Sequence, residues 1–164
     1  MAKATGLVIL SSSEVSKFLP SLPELYSALK TTMQDYSARE TIVQPIRTQI
    51  YIPNTRGRFI TMPACMSDVM GLKVVCSIPE NTARGLPTHL GIIQLYKLTG
   101  ELVCQMDAGE ITAKRTAAVS AVATKVLARK DSKRLGVLGS GVQAESHVRA
   151  LRELYDFEEV ISLE

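Results

Sequence analysis

The sequence predicts an α/β protein: an N-terminal α+β segment followed by a single strand–helix–strand unit. Three observations carry that expectation. Two serine–glutamate capping boxes open helices within the first forty residues; short β-branched and apolar runs fill Ile42 to Met106; and a glycine turn, Gly139-Ser140-Gly141, sits between an apolar run and a helical stretch. At 164 residues, with 46% hydrophobic and 21% charged side chains, the chain has room for one complete domain, or one domain and part of a second.

Ser11 with Glu14, and Ser21 with Glu24, place a hydroxyl and a carboxylate three residues apart, where they satisfy the orphan N–H groups of a helix start. After the second pair, Leu25, Leu29, Met33 and Tyr36 recur at helical spacing, and Pro23 falls in the first turn, where its missing N–H costs nothing. A helix is expected from Leu22 to Arg39. The next runs, Val43 to Ile52, Phe59 to Met62, Leu72 to Ser77, Leu90 to Tyr96 and Leu102 to Met106, read as strands. Turns at Asn54 to Gly57 and at Leu98 to Gly100 separate them, the second closing a hairpin. An antiparallel or mixed sheet packed by the early helices follows.

Residues 110–128 are alanine-rich, with Val119, Val122 and Val126 on neighbouring turns, and predict a long helix with a small-residue face that allows close packing of a backbone or a ligand. Arg129, Lys130, Lys133 and Arg134 beyond it read as a solvated helix end and linker.

Composition excludes several partners. Nineteen Lys and Arg against 16 Asp and Glu leave a charge of +3, too small and too evenly spread for a nucleic-acid surface. Cys65, Cys76 and Cys104 lack both the paired spacing of a zinc site and the density of a disulfide scaffold, and the chain has only two histidines, so no metal site is expected. No stretch approaches the roughly 18 apolar residues of a membrane span, and the N-terminus lacks the apolar core and cleavage site of a leader. A cytoplasmic protein is expected.

Leu135 to Leu138, then Gly139-Ser140-Gly141-Val142-Gln143-Ala144, then a helix from Glu145 to Leu154, form a GxGxxA motif in strand–turn–helix context. Gly139 permits the tight turn, Gly141 lets the backbone approach a pyrophosphate, and Ala144 lets the helix lie close to the strand. Val160 to Leu163 supplies the second strand, and Glu164 stands at its end, where an acid accepts hydrogen bonds from an adenosine ribose. This is the first unit of a Rossmann dinucleotide-binding domain. Its nicotinamide half would lie downstream, so the chain is expected to be the N-terminal part of a longer protein.

The stretches MDAGEITAKRTAAVSAVATKVLA, GVLGSGVQAESH and NTARGLPTHLG resemble the ornithine cyclodeaminase and mu-crystallin family. The likeness runs over nearly the whole chain from Ser11, and the AKRTAAVSA helix start is closer to the ketimine-reductase branch than to the bacterial cyclodeaminases. The resemblance implies a substrate-binding and dimerisation domain over residues 1–130, an incomplete Rossmann domain over 131–164, a homodimer, and NAD or NADP as cofactor. It implies that Arg47 and Arg115 grip a substrate carboxylate and that Lys73 works at the reacting amine or imine. Two guanidinium groups can hold a carboxylate while a nearby lysine exchanges protons with nitrogen. Without the resemblance, Arg47 and Lys73 would be read as surface charges and His89 as a satisfied histidine. The resemblance further implies cofactor contacts from Thr88, His89, Thr116, Val142 and Gln143, with Glu164 favouring NAD.

The implied activity is NAD(P)-dependent hydride transfer at the C–N bond of a small amino acid or cyclic ketimine. Reduction of a cyclic ketimine and conversion of ornithine to proline and ammonia share this chemistry, and the residues do not choose between them. The family also has non-catalytic members that bind thyroid hormone with NADPH; an aromatic content of 5% offers few rings for such a ligand. The family's catalytic aspartate and its returning C-terminal segment lie outside this chain, so the isolated polypeptide is expected to be inactive, with apolar surface left open.

Overall fold

In the computed structural model, residues 6–38 and 41–163 are described. The strands and helices are β1 (Val8–Leu10), α1 (Ser12–Phe18), α2 (Leu22–Ala38), β2 (Thr48–Tyr51), β3 (Arg58–Cys65), β4 (Met70–Ser77), β5 (His89–Tyr96), β6 (Leu102–Asp107), α3 (Gly109–Leu127), β7 (Arg134–Leu138), α4 (Val142–Arg152) and β8 (Glu159–Leu163), with a short 3-10 helix at Pro79–Arg84. They form two compact units, one of residues 1–18 and 35–110, the other of residues 19–34 and 111–164.

The first unit is built on a six-stranded mixed sheet in the order β1-β6-β5-β4-β3-β2. β1 runs parallel to β6, and every other pairing is antiparallel. At three residues, β1 is too short to show a period, which is why its run reads only as apolar in the sequence. The run expected from Val43 narrows to Thr48–Tyr51, and Val43 makes only an isolated bridge to Cys65. Pro45, which has no N–H to donate, interrupts it. The hairpin between β5 and β6 closes through Gly100, at φ 90, whose N–H donates to the Lys97 carbonyl at 2.9 Å. α1 buries Val15.

Both capping boxes form, with the hydroxyl in an unexpected role. The Glu24 carboxylate accepts from the Ser21 N–H at 2.9 Å and from the Ser21 hydroxyl at 2.6 Å, and Glu14 treats Ser11 the same way. The serine hydroxyl therefore donates to the carboxylate, and the Ser11 oxygen also stands 3.2 Å from the Ser13 hydroxyl on α1.

In the second unit β7 and β8 are parallel neighbours. Ala117 and Ala121 of α3 and Ala150 of α4 form its core, with Leu22, Leu151 and Leu154 packed on them. The small-residue face expected of α3 thus serves close helix packing, and Ala113, Ala118 and Val122 on it are also buried. Leu22 joins this core, so the start of α2 packs here and not on the six-stranded sheet, where the sequence had placed it. Part of the basic segment is paired: Lys133 lies 3.5 Å from Asp156 and 3.7 Å from Glu158, and Arg134 lies 3.2 Å from Glu159.

Candidate functional site

The turn after β7 has the backbone that the motif requires. Gly139 sits at φ 105, a conformation that L side chains rarely adopt. Its N–H donates to the Leu163 carbonyl at 2.8 Å, which continues the β7–β8 pairing into the turn. Gly141 is the N-cap of α4 in extended geometry, no side chain caps the helix, and the Glu145 N–H returns to the Gly141 carbonyl at 3.2 Å. A Cβ built on either glycine would meet nothing within 4 Å. The N-terminus of an 11-residue helix therefore opens onto clear space, the arrangement that suits a pyrophosphate.

Thr116 and Gln143 meet at one acceptor. The Thr116 hydroxyl and the Gln143 side-chain amide, the latter at 3.5 Å, both donate to the Thr112 carbonyl. Val142 is exposed beside the turn, and Arg115 is exposed on α3. Glu164 lies outside the described residues. Sequence reading did not single out His147, which fastens α4 to α3: its Nε2 stands 2.9 Å from the Ser120 hydroxyl and its Nδ1 2.7 Å from the Gln143 carbonyl.

The other candidates lie on the six-stranded sheet. Lys73 is half-buried on β4, an interior strand, opposite Met62 of β3 and Ile93 of β5. Arg47 is exposed and precedes the Thr48–Thr61 pair, so continuing that register brings it to Met62. Arg47 and Lys73 thus stand on either side of one β3 position. Thr88 and His89 are bonded to each other, hydroxyl to Nδ1, at 3.0 Å. His89 Nε2 also meets the Ser77 hydroxyl at 3.2 Å, across the directly paired ends of β4 and β5. Ser77 was missed because it matters only through this pairing, which needs the antiparallel register. Among the described residues no cluster of His, Cys, Asp or Glu could hold a metal ion, and no helix is long and apolar enough to cross a membrane.

Residues 7–163 match the ornithine cyclodeaminase/mu-crystallin family. The chain is 36% identical over 156 residues to the ketimine reductase mu-crystallin of Mus musculus, covering 92% of this chain and 50% of that protein. Its fold superposes with TM-score 0.88 on the Thermococcus litoralis Δ1-pyrroline-2-carboxylate reductase solved with NADH and L-proline, at 36% identity over 94% of this chain and 48% of that one. It matches an archaeal alanine dehydrogenase dimer with bound NAD equally well, with TM-score 0.88, 33% identity and coverage of 95% and 48%. The chain spans about half the length of these relatives. With the glycine turn, the mixed sheet and this match over residues 7–163 in agreement, the chain belongs to the ornithine cyclodeaminase/mu-crystallin family.

Proposed function

We propose that this chain carries the substrate sheet and the pyrophosphate-binding turn of an NAD(P)-dependent oxidoreductase acting on the C–N bond of a small amino acid or cyclic ketimine. The observation that carries the reading is the Gly139–Gly141 turn, with its positive φ, its open approach and the uncapped start of α4. These residues fit a dinucleotide, whose nicotinamide supplies or accepts a hydride at the carbon bonded to nitrogen. The α4 N–H groups would hold the pyrophosphate. Arg47 would bind the substrate carboxylate, and Lys73 would move a proton at the substrate nitrogen. Arg115, as a second carboxylate ligand, and contacts from Thr88, His89, Thr116, Val142, Gln143 and Glu164 to the cofactor belong to the same reading and rest on the family likeness.

A homodimer is part of this proposal. On the sheet face opposite Lys73, the cross-strand row Ile50, Phe59, Cys76, Leu90 leaves Ile50 59%, Phe59 37% and Leu90 49% exposed, an apolar stripe suited to burial against a second copy.

Titration with NADH and with NADPH, followed by nucleotide fluorescence and by the melting temperature, tests the reading. A ligand that binds only the folded form must raise the midpoint, and NADH is expected to do so more strongly than NADPH. Binding of neither nucleotide would refute the assignment of the turn.

A further inference from the structure

We infer that Arg58 is a specificity residue for a second anionic group on the bound ligand. The inference rests on the reading of Arg47 and Lys73 given above and goes beyond it. Tyr51, Arg58, Ser77 and His89 are consecutive cross-strand partners on β2, β3, β4 and β5, and form one row across the sheet. Direct partners share a face, and every second residue of a strand returns to it, so this row lies on the Lys73 face. One row, made of Gln49, Ile60, Val75 and Gly91, intervenes. Four residues of strand span about 13 Å between backbones, and Arg47, Lys73 and Arg58 all project from this one face.

The state of the Arg58 side chain points to an anion. Its guanidinium carbon stands 5.4 Å from the Tyr51 ring centroid, within cation–π range, which steadies the side chain. Among the described residues it has no carboxylate partner: the ion pair of this hairpin uses Arg56, which reaches Glu80 at 3.4 Å. Beside it, Ser77 and His89 are joined at 3.2 Å. A guanidinium in cation–π contact and without a carboxylate partner keeps N–H groups available for bidentate binding of a planar or tetrahedral anion. Such a group could be the second carboxylate of an amino-acid or imine substrate, or a phosphate.

Calorimetric titration of the wild type, Arg58→Gln, Arg58→Lys and Arg47→Gln with L-glutamate, L-proline and inorganic pyrophosphate tests this. The expected result is that the wild type prefers L-glutamate to L-proline by about tenfold or more, as a charge-assisted pair allows. Arg58→Gln should remove that preference and Arg58→Lys retain part of it. Loss of pyrophosphate binding in Arg58→Gln, with the glutamate preference intact, would uphold the anion site and assign it to a phosphate group. Pyrophosphate binding unmoved by Arg58→Gln, together with either equal affinity of the wild type for glutamate and proline or the same glutamate preference in wild type and Arg58→Gln, would overturn the inference. Arg47→Gln separates the two levels: weaker binding of both amino acids supports the underlying reading, whereas no change refutes it whatever Arg58 shows.

Discussion

His147 of α4 and Ser120 of α3 are joined by a 2.9 Å hydrogen bond whose direction the surroundings determine. His147 Nδ1 faces the Gln143 carbonyl at 2.7 Å, and a carbonyl only accepts, so Nδ1 carries the proton. In the neutral ring Nε2 then accepts from the Ser120 hydroxyl. Ser120→Ala removes the donor and leaves that nitrogen unpaired, which is expected to cost about 1 kcal/mol. Urea unfolding curves of the two proteins check this, and an unchanged midpoint would show that the bond adds nothing to the α3–α4 packing.

Gly139→Ala should separate the turn from the fold. A β-carbon at φ 105 meets no neighbour, so the cost is backbone strain alone, of about 1–2 kcal/mol. The larger effect is expected on nucleotide affinity, because relief of that strain would re-aim the start of α4. Equal NADH affinity in wild type and variant would contradict the role given to the turn.

Gly91→Ala tests packing in the other unit. Its new β-carbon would stand 2.7 Å from the Val74 carbonyl oxygen, a backbone atom of the adjacent strand that cannot move aside cheaply. Overpacking of this kind costs about 1–3 kcal/mol. The melting temperature should fall, and a variant as stable as wild type would mean that β4 and β5 can separate locally.

Glu24 should contribute to acid sensitivity. The Ser21 hydroxyl, the Ser21 backbone N–H after it, stabilise the carboxylate and hold its pKa below the usual 4.5. Because the folded value lies below the unfolded one, this stabilisation is complete above the unfolded pKa and is lost as pH falls through the folded value. Glu24→Gln should therefore melt lower than wild type at neutral pH, with the gap closing as pH drops below 4.5. Parallel melting profiles across the acid range would show that the capping box carries no such linkage.

Phe59→Asp places a charge in the centre of the exposed stripe on β3. Sedimentation velocity should show a dimer for wild type and a monomer for the variant, since an unpaired charge is costly to bury in an apolar interface. A monomeric wild type would remove the dimer from the proposed function.

The sequence by itself determined the elements whose signals are local: the capping boxes at Ser11 and Ser21, the periodic apolar face of α2, the alanine face of α3, the tight turns at Gly100 and Gly139, and the strand-rich middle of the chain. Each depends on residues a few positions apart, so a period or a glycine suffices to reveal it. The family likeness added Arg47, Lys73, Thr88 and His89, which no local pattern would have distinguished from surface charges and a settled histidine. Tertiary structure alone decided what depends on register and packing. It paired the three-residue β1 with β6, drew Leu22 into the core of α3 and α4, linked Ser77 to His89, and put Arg58 on the same sheet face as Lys73. Side chains alternate across a strand, so a register shift of one residue would send Arg58 to the opposite face; that choice is made by the whole sheet and is written in no single segment of the chain.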